Sequence, residues 1–486
     1  MSNWRASVHH NYRVFILDKE GHIINRAHLS SQNDEAAKER ARDLASYGLA
    51  VELWDGSRRI AIEDEGRTMQ ANLCSRSRRV ASVDIVHDLA TAEAVWRSLE
   101  CPSNSATPYQ RFDFLAAWQR RVGQRAGLSP FLVIARDDEG RPLGLLPLAL
   151  QTAFGVRYAS FMGGTHSTFN MGLWQSEFAA TATEHDLRSL TAMLAARDKA
   201  DVLVLRRQPT YWRDLQNPLR LLPHEPSTVH CPVRTIEPGA TSVSLVSESL
   251  RRRLQRKERK LQLLAGYRYY IASDDVDITR LLDWFFQVKP QRIMAQQKLP
   301  SPFADPDVQG FIRSACMTKL ADCGRAIEIH ALECDEEVIA ILAVMADDHR
   351  FSAMFNTYTM SRKAKFSPGL ILMRHVIDHF AGQRYRAFDF GIGFYDYKLL
   401  VCPDYEPIFD SFIPLSVRGR FAVGAISAVN EAKRFMKSNP ALHDIAQNLR
   451  SRLQGVKAFQ TTSLVFLLQN CCSQLGLYEA TTLTLA

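Results

Sequence analysis

The sequence predicts an α+β fold in which mixed sheets are flanked by helices, and three patterns indicate it. Residues 350–391 have the pattern of a strand, a basic loop, an amphipathic helix and a second strand. Residues 326–345 contain two strands joined by a short turn, and strands and helices alternate over residues 84–207. With 486 residues, the chain is longer than one hydrophobic core usually serves, so we expect two or three domains.

The composition is typical of a globular protein rather than a disordered or membrane-spanning one. Apolar residues make up 46% and charged residues 23% of the chain, and no apolar run is long enough for a membrane span. The first twenty residues lack the pattern of a signal peptide. Nine scattered cysteines without a CxxC pair or a Cys/His cluster indicate reduced thiols and no metal site, so we expect a cytoplasmic protein.

Residues 8–65 are predicted to form a small N-terminal α/β unit of βαβ type. Its strands and helix are expected at residues 12–17, 22–28, 50–54 and 33–45. The unit has no catalytic constellation, so docking onto the main body or binding a partner is its expected role. Residues 66–81 are polar and basic without periodicity, which predicts a linker.

The next segment, residues 82–235, alternates helices and strands. Helices are expected at residues 90–99, 112–122 and 184–196, and strands at residues 131–135, 143–150, 156–162 and 202–205.

Within this segment, residues 163–174 (GGTHSTFNMGLW) have polar groups suited to binding a ligand. The paired glycines allow close approach of the backbone, and His166 and Asn170 could hydrogen-bond to a polar acceptor substrate. The alternative is a turn between strands with an exposed histidine. We favour this alternative, because no Asp or Glu lies near enough in sequence to orient His166 as a base.

A strongly basic helix is predicted at residues 249–260. The run that begins with Arg251 and ends with Lys260 holds seven basic residues and one acidic residue, while leucines keep one face apolar. Such a face could bind the phosphates of a coenzyme, an RNA backbone or an anionic surface. A solvated charged face is the alternative.

The stretch from the strand at residues 351–359 to the strand at residues 386–391 has the pattern of an anion site. After a basic loop, Ser367 can cap a helix at residues 370–380 whose first turn accepts a proline. We expect the N–H groups of Gly369, Leu370 and Ile371 to point outward unpaired. Together with Arg362, Lys363 and Lys365, they could hold the pyrophosphate of coenzyme A. An ordinary capped helix beside a solvated loop is the alternative.

The rest of the chain completes the α+β pattern. Further strands are expected at residues 267–272, 326–333, 338–345 and 409–417, and further helices at residues 277–291, 308–321 and 423–435, followed by a helical tail at residues 439–486.

Several of these segments together resemble a known family. The chain contains, in order, SPG, an amphipathic helix, FDFG and YK. It also contains SLRRRLQRKERKLQ from residue 249, FFQVKPQRIMAQQKLPSPFADPDVQGFIR from residue 285 and FDSFIPLSVRGR from residue 409. Together these segments resemble the GNAT-superfamily acetyltransferase domain of cellulose-biosynthesis-type acyltransferases, which are relatives of the Fem-type aminoacyl transferases. The resemblance implies tandem GNAT-like lobes, with a degenerate first lobe at residues 82–235 and the acyltransferase domain at residues 240–438.

The resemblance also implies a donor site. In the family, adjacent parallel strands part and the pantetheine arm of acyl-CoA enters the gap. Carried over to this chain, the donor-binding residues would be Phe355, Thr357, Arg362, Lys363, Ser367, Gly369 and Leu370. The usual glycine-rich superfamily loop is absent, with a single glycine and a proline in its place.

The catalytic residues implied by the resemblance are Asp389, Tyr397 and Lys398. Asp389 would act as the general base, and Tyr397 or Lys398 as a proton donor or orienting group. Alternatively, Asp389 pairs structurally with Lys398 or Arg386. Family members often carry an acidic pair before YK, which this chain lacks.

The function that follows is acyl transfer from acetyl-CoA or another acyl-CoA, without a metal, to nitrogen or oxygen of a sugar, polysaccharide or cell-envelope precursor. One alternative is Fem-type transfer from aminoacyl-tRNA, with the basic helix on the RNA backbone. Another is a catalytically silent regulator or scaffold of the same fold. No DNA partner is expected.

Overall fold

A computed structural model gives the fold. The structure describes residues 78–438 except 238–239, 299, 321–323, 382, 384 and 394, together with residues 10–17, 23–31, 33–35, 37–38, 50–55 and 58–63. The predicted helical tail and residues 66–77 of the predicted linker lie outside the described residues. The chain divides into two compact units, Met1–Ser77 and Arg78–Ala486.

The first unit contains an antiparallel sheet in the order β2-β1-β3-β4. Its strands are β1 (His10–Leu17), β2 (Ile23–Ser31), β3 (Ala50–Asp55) and β4 (Arg58–Glu63). β2 and β3 each pair antiparallel with β1, so they run parallel to each other on either side of it. Residues 36 and 39–45 of the predicted helix lie outside the described residues, and the βαβ-type unit stays a prediction. β4 has no counterpart among the elements predicted from the sequence.

The second unit is built on two mixed sheets. The first sheet has the order β13-β21-β10-β8-β7-β6-β5, with β9 paired to β7. Its strands are β5 (Ser82–Val86), β6 (Ser129–Arg136), β7 (Pro142–Ala153), β8 (Val156–Phe161), β9 (Leu173–Trp174), β10 (Val202–Pro209), β13 (Glu225–Pro226) and β21 (Ile408–Pro414). A small ribbon, β11 (Tyr211–Trp212) and β12 (Leu215–Gln216), follows β10.

The second sheet has the order β15-β16-β17-β18-β19-β14-β20. Its strands are β14 (Cys231–Thr235), β15 (Arg268–Ile271), β16 (Glu328–Cys334), β17 (Glu337–Ala346), β18 (Arg350–Tyr358), β19 (Ala387–Asp389) and β20 (Asp404–Glu406). Asp335 and Glu336 both have positive φ between β16 and β17, the backbone that a two-residue hairpin turn needs.

Helices flank both sheets. They are α1 (Leu89–Leu99), α2 (Phe112–Trp118), α3 (Ser176–Thr181), α4 (Glu184–Ala196), α5 (Ser242–Leu245), α6 (Glu248–Gln262), α7 (Asp275–Gln297), α8 (Pro306–Met317), α9 (Pro368–Phe380), α10 (Asp396–Leu399) and α11 (Val417–Ser438). The predicted α+β class, with mixed sheets and flanking helices, is confirmed. The predicted bounds of α4 are also confirmed, because Thr183 and Asp186 form a capping box at its start.

The two sheets repeat one topology. In each, an antiparallel series of strands ends in a parallel pair joined by a helical crossover, β8 with β10 in the first sheet and β18 with β19 in the second. The sheets also exchange strands. β21, from the last part of the chain, pairs with β10, and β14, from the middle, pairs with β19.

One hydrophobic cluster extends across both halves of the second unit. It includes Trp96 and Phe131 from the first half and Phe285, Phe311 and Phe355 from the second. A separate cluster lies on the other face of the second sheet, beneath α6 and α9. Burial of this shared core and the exchanged strands hold the two halves together as one compact unit.

Two further observations bear on the sequence predictions. Among the described helices, none has the length and apolar character needed to cross a bilayer. The cysteines in the described segments, Cys101, Cys231, Cys316, Cys334 and Cys402, are free thiols.

Candidate active site

A cavity of about 370 Å³ lies at the N-terminal end of α9. Its walls come from α7, β18, the turn before α9, α9 itself and the segment around α10. The lining residues are Arg292, Gln296, Asn356, Tyr358, Ala364, Ser367, Gly369, Leu370, Met373, Tyr395 and Tyr397. All of them belong to the segment that the family resemblance singled out.

The cavity lies where β18 and β19 part. The two strands pair in parallel only over Arg350–Ser352 and Ala387–Asp389. β18 then continues to Tyr358 with β17 paired along its other edge. Among the described strands, none replaces β19 beyond Ser352, so this edge of β18 offers its backbone hydrogen-bonding groups to a ligand.

A β-bulge decides which side chains of β18 face the cavity. Ala343 pairs with Phe355 and Val344 with Ala353, so Met354 is an extra residue in β18. A bulge shifts the alternation of side chains by one residue. Asn356 and Tyr358 therefore line the cavity, whereas the predicted donor-binding residues Phe355 and Thr357 do not.

Phe355 instead belongs to the shared hydrophobic core, where its ring centroid lies 4.8 Å from that of Phe285. Thr357 is buried at 1% exposure. Neither residue is among those that line the cavity, so a donor-binding role for this pair has no support from the cavity and stays a prediction.

The start of α9 differs from the expected capped helix. Ser367 adopts a left-handed conformation (φ 58°, ψ 52°), and its side chain does not cap the helix. Its hydroxyl instead accepts a hydrogen bond from Lys257 Nζ at 2.7 Å. The Leu370 and Ile371 N–H groups both donate to the Ser367 carbonyl, so the expectation that they are unpaired is wrong. In the described part of the chain, the Gly369 N–H meets no backbone acceptor.

A buried polar cluster holds the basic helix α6 against α9. Glu258 on α6 accepts a hydrogen bond from the Tyr267 hydroxyl at 2.6 Å through Oε1 and one from Arg374 Nη2 at 2.7 Å through Oε2. His375 Nε2 lies 2.5 Å from Oε1. Arg374 and His375 belong to α9. This anchoring places Lys257, one residue before Glu258, at the mouth of the cavity.

The predicted phosphate ligands Arg362 and Lys363 do not line the cavity. Lys363 Nζ is paired with Glu337 at 2.7 Å and with Asp335 at 3.4 Å, on the turn between β16 and β17. Arg362 is exposed in a short 3-10 helix, Arg362–Phe366. Ser367, Gly369 and Leu370 are the predicted donor-binding residues that do line it.

On the opposite wall, Arg292 stacks on Tyr358. The guanidinium carbon lies 3.9 Å from the centroid of the Tyr358 ring. On the other side, a Cβ atom at Gly369 would lie only 3.1 Å from Tyr358 Cδ1, so glycine allows the start of α9 to approach the ring. Arg292 and Gln296 reach the cavity because α7 continues past Pro290 to Gln297, beyond its predicted end at residue 291.

Tyr397 lines the cavity beside Tyr395, and the ring centroids of the two tyrosines are 6.0 Å apart. Burial raises the pKa of Tyr397 well above its ordinary value, and a hydrogen bond with Asn356 opposes this rise. The hydroxyl group is therefore protonated at neutral pH and able to donate.

Asp389 is fully buried and does not line the cavity. Its carboxylate pairs with Arg350 Nε at 3.0 Å and accepts hydrogen bonds from Ser352 Oγ at 2.6 Å and from the Gly391 N–H at 2.9 Å. Arg350 also pairs with Glu406 at 2.8 Å. Asp389 thus has the contacts of the structural alternative, with Arg350 as its partner in place of Lys398 or Arg386, and its role as general base stays a prediction.

Lys398 is likewise buried, away from the cavity. Its Nζ donates to the carbonyl oxygens of Gly391 at 3.0 Å and Ile392 at 2.9 Å. Burial lowers the pKa of Lys398 to about 8, against the opposing effect of Cys231 and Asp389. Lys398 and Asp389 thus fix the turn after β19, and this turn leads into the segment that carries Tyr395 and Tyr397.

The buried Lys398 predicts a pH effect on stability. The unfolded chain keeps this lysine protonated up to its ordinary pKa of 10.5, whereas the folded protein releases the proton near pH 8. Because the unfolded state binds more protons between pH 8 and pH 10, this group makes the free energy of unfolding rise with pH there. The free energy of unfolding of the wild type minus that of the Lys398→Met variant, both measured by urea denaturation, should increase over this pH range. A flat difference would contradict the buried, partly deprotonated lysine.

The predicted substrate residues His166 and Asn170 lie elsewhere, in the first half of the unit. His166 Nδ1 accepts a hydrogen bond from Trp118 Nε1 at 3.1 Å, and burial lowers the pKa of His166 to about 4. Asn170 Nδ2 donates to the Gly164 and Arg206 carbonyls. Neither residue lines the cavity, so a substrate role there is not supported.

Comparisons with known proteins agree with this location. Residues 248–399 match the family model of the acetyltransferase (GNAT) domain, and this segment includes every residue that lines the cavity. The resemblance to GNAT acetyltransferases is thus confirmed for this domain. No curated protein matches the chain.

Several solved structures are similar to the chain. FemX is 10% identical, covers 67% of this chain and 96% of its own, and has a TM-score of 0.43. A tandem GNAT protein from the clavulanic acid biosynthesis pathway is 11% identical, with coverages of 69% and 99% and a TM-score of 0.36. The C-terminal domain of a putative lysylphosphatidylglycerol synthetase from Agrobacterium fabrum is 12% identical, with coverages of 70% and 97% and a TM-score of 0.41.

Proposed function

We propose that this protein is an acyltransferase that uses an acyl-CoA donor, with acetyl-CoA as the simplest case, and that the cavity beside α9 holds the pantetheine arm and thioester. One observation carries the proposal. β18 and β19 separate after three residue pairs, and an internal cavity opens between β18 and the N-terminal end of α9. A thioester on a flexible arm fits a narrow gap lined by strand backbone and aromatic rings.

The phosphates of the donor would bind at the mouth. The Gly369 N–H, the positive end of the α9 dipole and the Lys257 ammonium group converge beside Ser367. The outer face of α6 adds exposed cations, among them Arg253, Arg256, Arg259 and Lys260. These charges would attract a nucleotide that carries several phosphates.

Tyr397 is the residue best placed to assist the chemistry. The acceptor nitrogen or oxygen attacks the thioester carbonyl carbon, and the carbon–sulfur bond then breaks. The Tyr397 hydroxyl donates its proton to the leaving thiolate, and the proton lost by the acceptor restores it. The unpaired edge of β18 offers N–H groups to the carbonyl oxygen. Asp389 and Lys398 would act only by holding the turn that positions this segment.

We place the acceptor among sugars or polysaccharide and cell-envelope precursors, following the resemblance to the cellulose-biosynthesis-type family. The exposed cations of α6 support a second candidate, transfer of an aminoacyl group from tRNA, because an RNA backbone would also fit a positive helix face. A catalytically silent regulator is the third.

Transfer of label separates these candidates. We expect radiolabel from acetyl-CoA to appear on an amine or hydroxyl acceptor when the protein is incubated with a panel of amino sugars, and no label transfer from charged tRNA. Transfer only from aminoacyl-tRNA would replace the proposal with the second candidate. Inertness toward every donor, together with failure to bind coenzyme A, would overturn it.

Lys257 provides a more local prediction. Lys257→Met should weaken coenzyme A binding about tenfold in low salt, because a phosphate-facing ammonium at the mouth is lost, and the loss should shrink as salt screens the interaction. Isothermal titration at two ionic strengths measures this effect. Arg252→Met is the matched control, since Arg252 is on the same helix but pairs with Glu248. Equal losses in both variants would indicate a diffuse charge effect instead.

A further inference from the structure

Arg292 is the charged residue that lines the cavity, and it forms no ion pair within the described part of the chain. The side chain is 3% exposed, and none of its three guanidinium nitrogens has a hydrogen-bond partner there. The other lining residues are neutral, and none of them is a carboxylic acid. The cavity thus contains a buried cation without a protein anion.

The surroundings of Arg292 make this arrangement costly in the free protein. Lys289, one turn earlier on α7, is also buried at 1% exposure. Burial lowers the pKa of both Lys289 and Arg292. The positive charges of Arg292 and Lys398 lower the pKa of Lys289 further. A buried, unpaired guanidinium lowers the stability of the free protein, and this cost is offset only if something anionic binds beside it.

The orientation of the guanidinium favours a planar anion. Its central carbon lies 3.9 Å from the centroid of the Tyr358 ring, so the ring occupies one side of the group. The N–H groups lie in the plane and point from its edge. A carboxylate that lies in the same plane can accept two parallel hydrogen bonds from this edge. The ammonium group of a lysine cannot form this two-pronged contact as well, because it acts as a point charge.

From these observations we propose that a substrate of this protein carries a carboxylate group, and that Arg292 binds it inside the cavity. The inference rests on the proposed acyltransferase function and deepens it, because it names the chemical class of a substrate. The carboxylate belongs either to the acyl group of the donor, as in a dicarboxylic thioester, or to the acceptor. Arg292 is a specificity-determining binding residue in this account.

Two matched ligand pairs test the proposal by titration calorimetry on the full chain. For the donor, the pair is succinyl-CoA and acetyl-CoA. For the acceptor, it is β-alanine and propylamine in the presence of coenzyme A. In one pair, we expect the carboxylated member to bind ~100-fold more tightly than its neutral match. The pair that shows the preference identifies which substrate bears the carboxylate.

Variants then assign the preference to Arg292. Arg292→Met should abolish it, and Arg292→Lys should retain part of it. Arg280→Met, on the same helix but paired outside the cavity with Asp277 and Glu333, should keep it in full. We also expect the unliganded Arg292→Met protein to melt at the wild-type temperature or higher, because a buried unpaired charge is removed. If Arg292 instead stabilised the unliganded fold, the Arg292→Met variant would melt at a lower temperature than the wild type.

The inference is overturned if neither carboxylated ligand is preferred, or if Arg292→Met keeps the preference. Binding of unmodified coenzyme A separates this failure from that of the proposed function. If coenzyme A binds to wild type and to Arg292→Met alike but no carboxylate preference exists, only the inference falls. If coenzyme A does not bind at all, the proposed function falls with it.

Discussion

Replacing Tyr397 by phenylalanine is expected to lower kcat for acyl transfer ~100-fold and to change the KM for the acyl-CoA donor little. The phenyl ring keeps the packing beside Tyr395, but the hydroxyl proton is lost. A tyrosine hydroxyl is protonated at neutral pH even at its ordinary pKa of about 10, so Tyr397 carries a proton that the departing thiolate can accept. A positioned proton donor typically contributes a factor of about 10² to 10⁴. Steady-state kinetics with acetyl-CoA measures the effect.

Tyr395→Phe is the matched control for this prediction. Tyr395 lines the same cavity and stacks on Tyr397, so the variant makes the same chemical change two residues away. Its kcat should stay within about threefold of wild type. A large loss in Tyr395→Phe with little loss in Tyr397→Phe would move the proton donor from Tyr397 to Tyr395.

Arg350→Met is expected to produce the largest loss of stability, ~4 kcal/mol in the free energy of unfolding. The side chain is 4% exposed and pairs with two carboxylates, those of Asp389 and Glu406. It also lies over the rings of Phe169 and Trp212, at 5.0 and 5.2 Å. Its loss leaves the buried Asp389 carboxylate and the partly buried Glu406 carboxylate without this counter-charge. Urea denaturation followed by far-UV circular dichroism measures the change.

Asp389→Asn distinguishes this structural account from catalysis by Asp389. We expect the variant to be destabilised, because the ion pair with Arg350 is lost, while the pH dependence of kcat/KM of the folded fraction keeps its wild-type shape. A general base would behave differently. If Asp389→Asn unfolds like wild type but loses an acidic limb of the pH profile, Asp389 takes part in proton transfer.

Elements with a strong local pattern could be predicted from the sequence. The bounds of α4 follow from a capping box, and β16, β17 and the turn between them follow from two apolar runs around polar residues. Elements that depend on distant partners could not. β14 lies in a stretch for which no strand is predicted, and only its pairing with β19 and β20, more than 150 residues away in the chain, makes it a strand.

The residues that line the cavity also divide into those that local sequence predicts and those that depend on the fold. Ser367, Gly369, Leu370 and Tyr397 follow from motifs and were predicted. Asn356 and Tyr358 line the cavity in place of the named residues Phe355 and Thr357, because a bulge at Met354, which no single residue signals, shifts the alternation along β18.

Arg292 was missed for a different reason. Pro290 normally ends or kinks a helix, so the predicted helix stops at residue 291, whereas α7 continues to Gln297. The surrounding residues were among those that carry the family resemblance, and this was the available signal. The ion pair of Asp389 could not be inferred from local sequence, because its partner Arg350, 39 positions earlier, lies on the neighbouring strand.

The central claim is that the gap between β18 and β19 receives the pantetheine arm. A crystal structure of the protein with coenzyme A tests it most directly. We expect the arm to lie between the two strands beyond Ser352, with the pyrophosphate at Gly369 and Lys257 and the sulfur within hydrogen-bonding distance of the Tyr397 hydroxyl. Coenzyme A bound elsewhere, with the cavity between Tyr358 and Gly369 empty, would contradict the account.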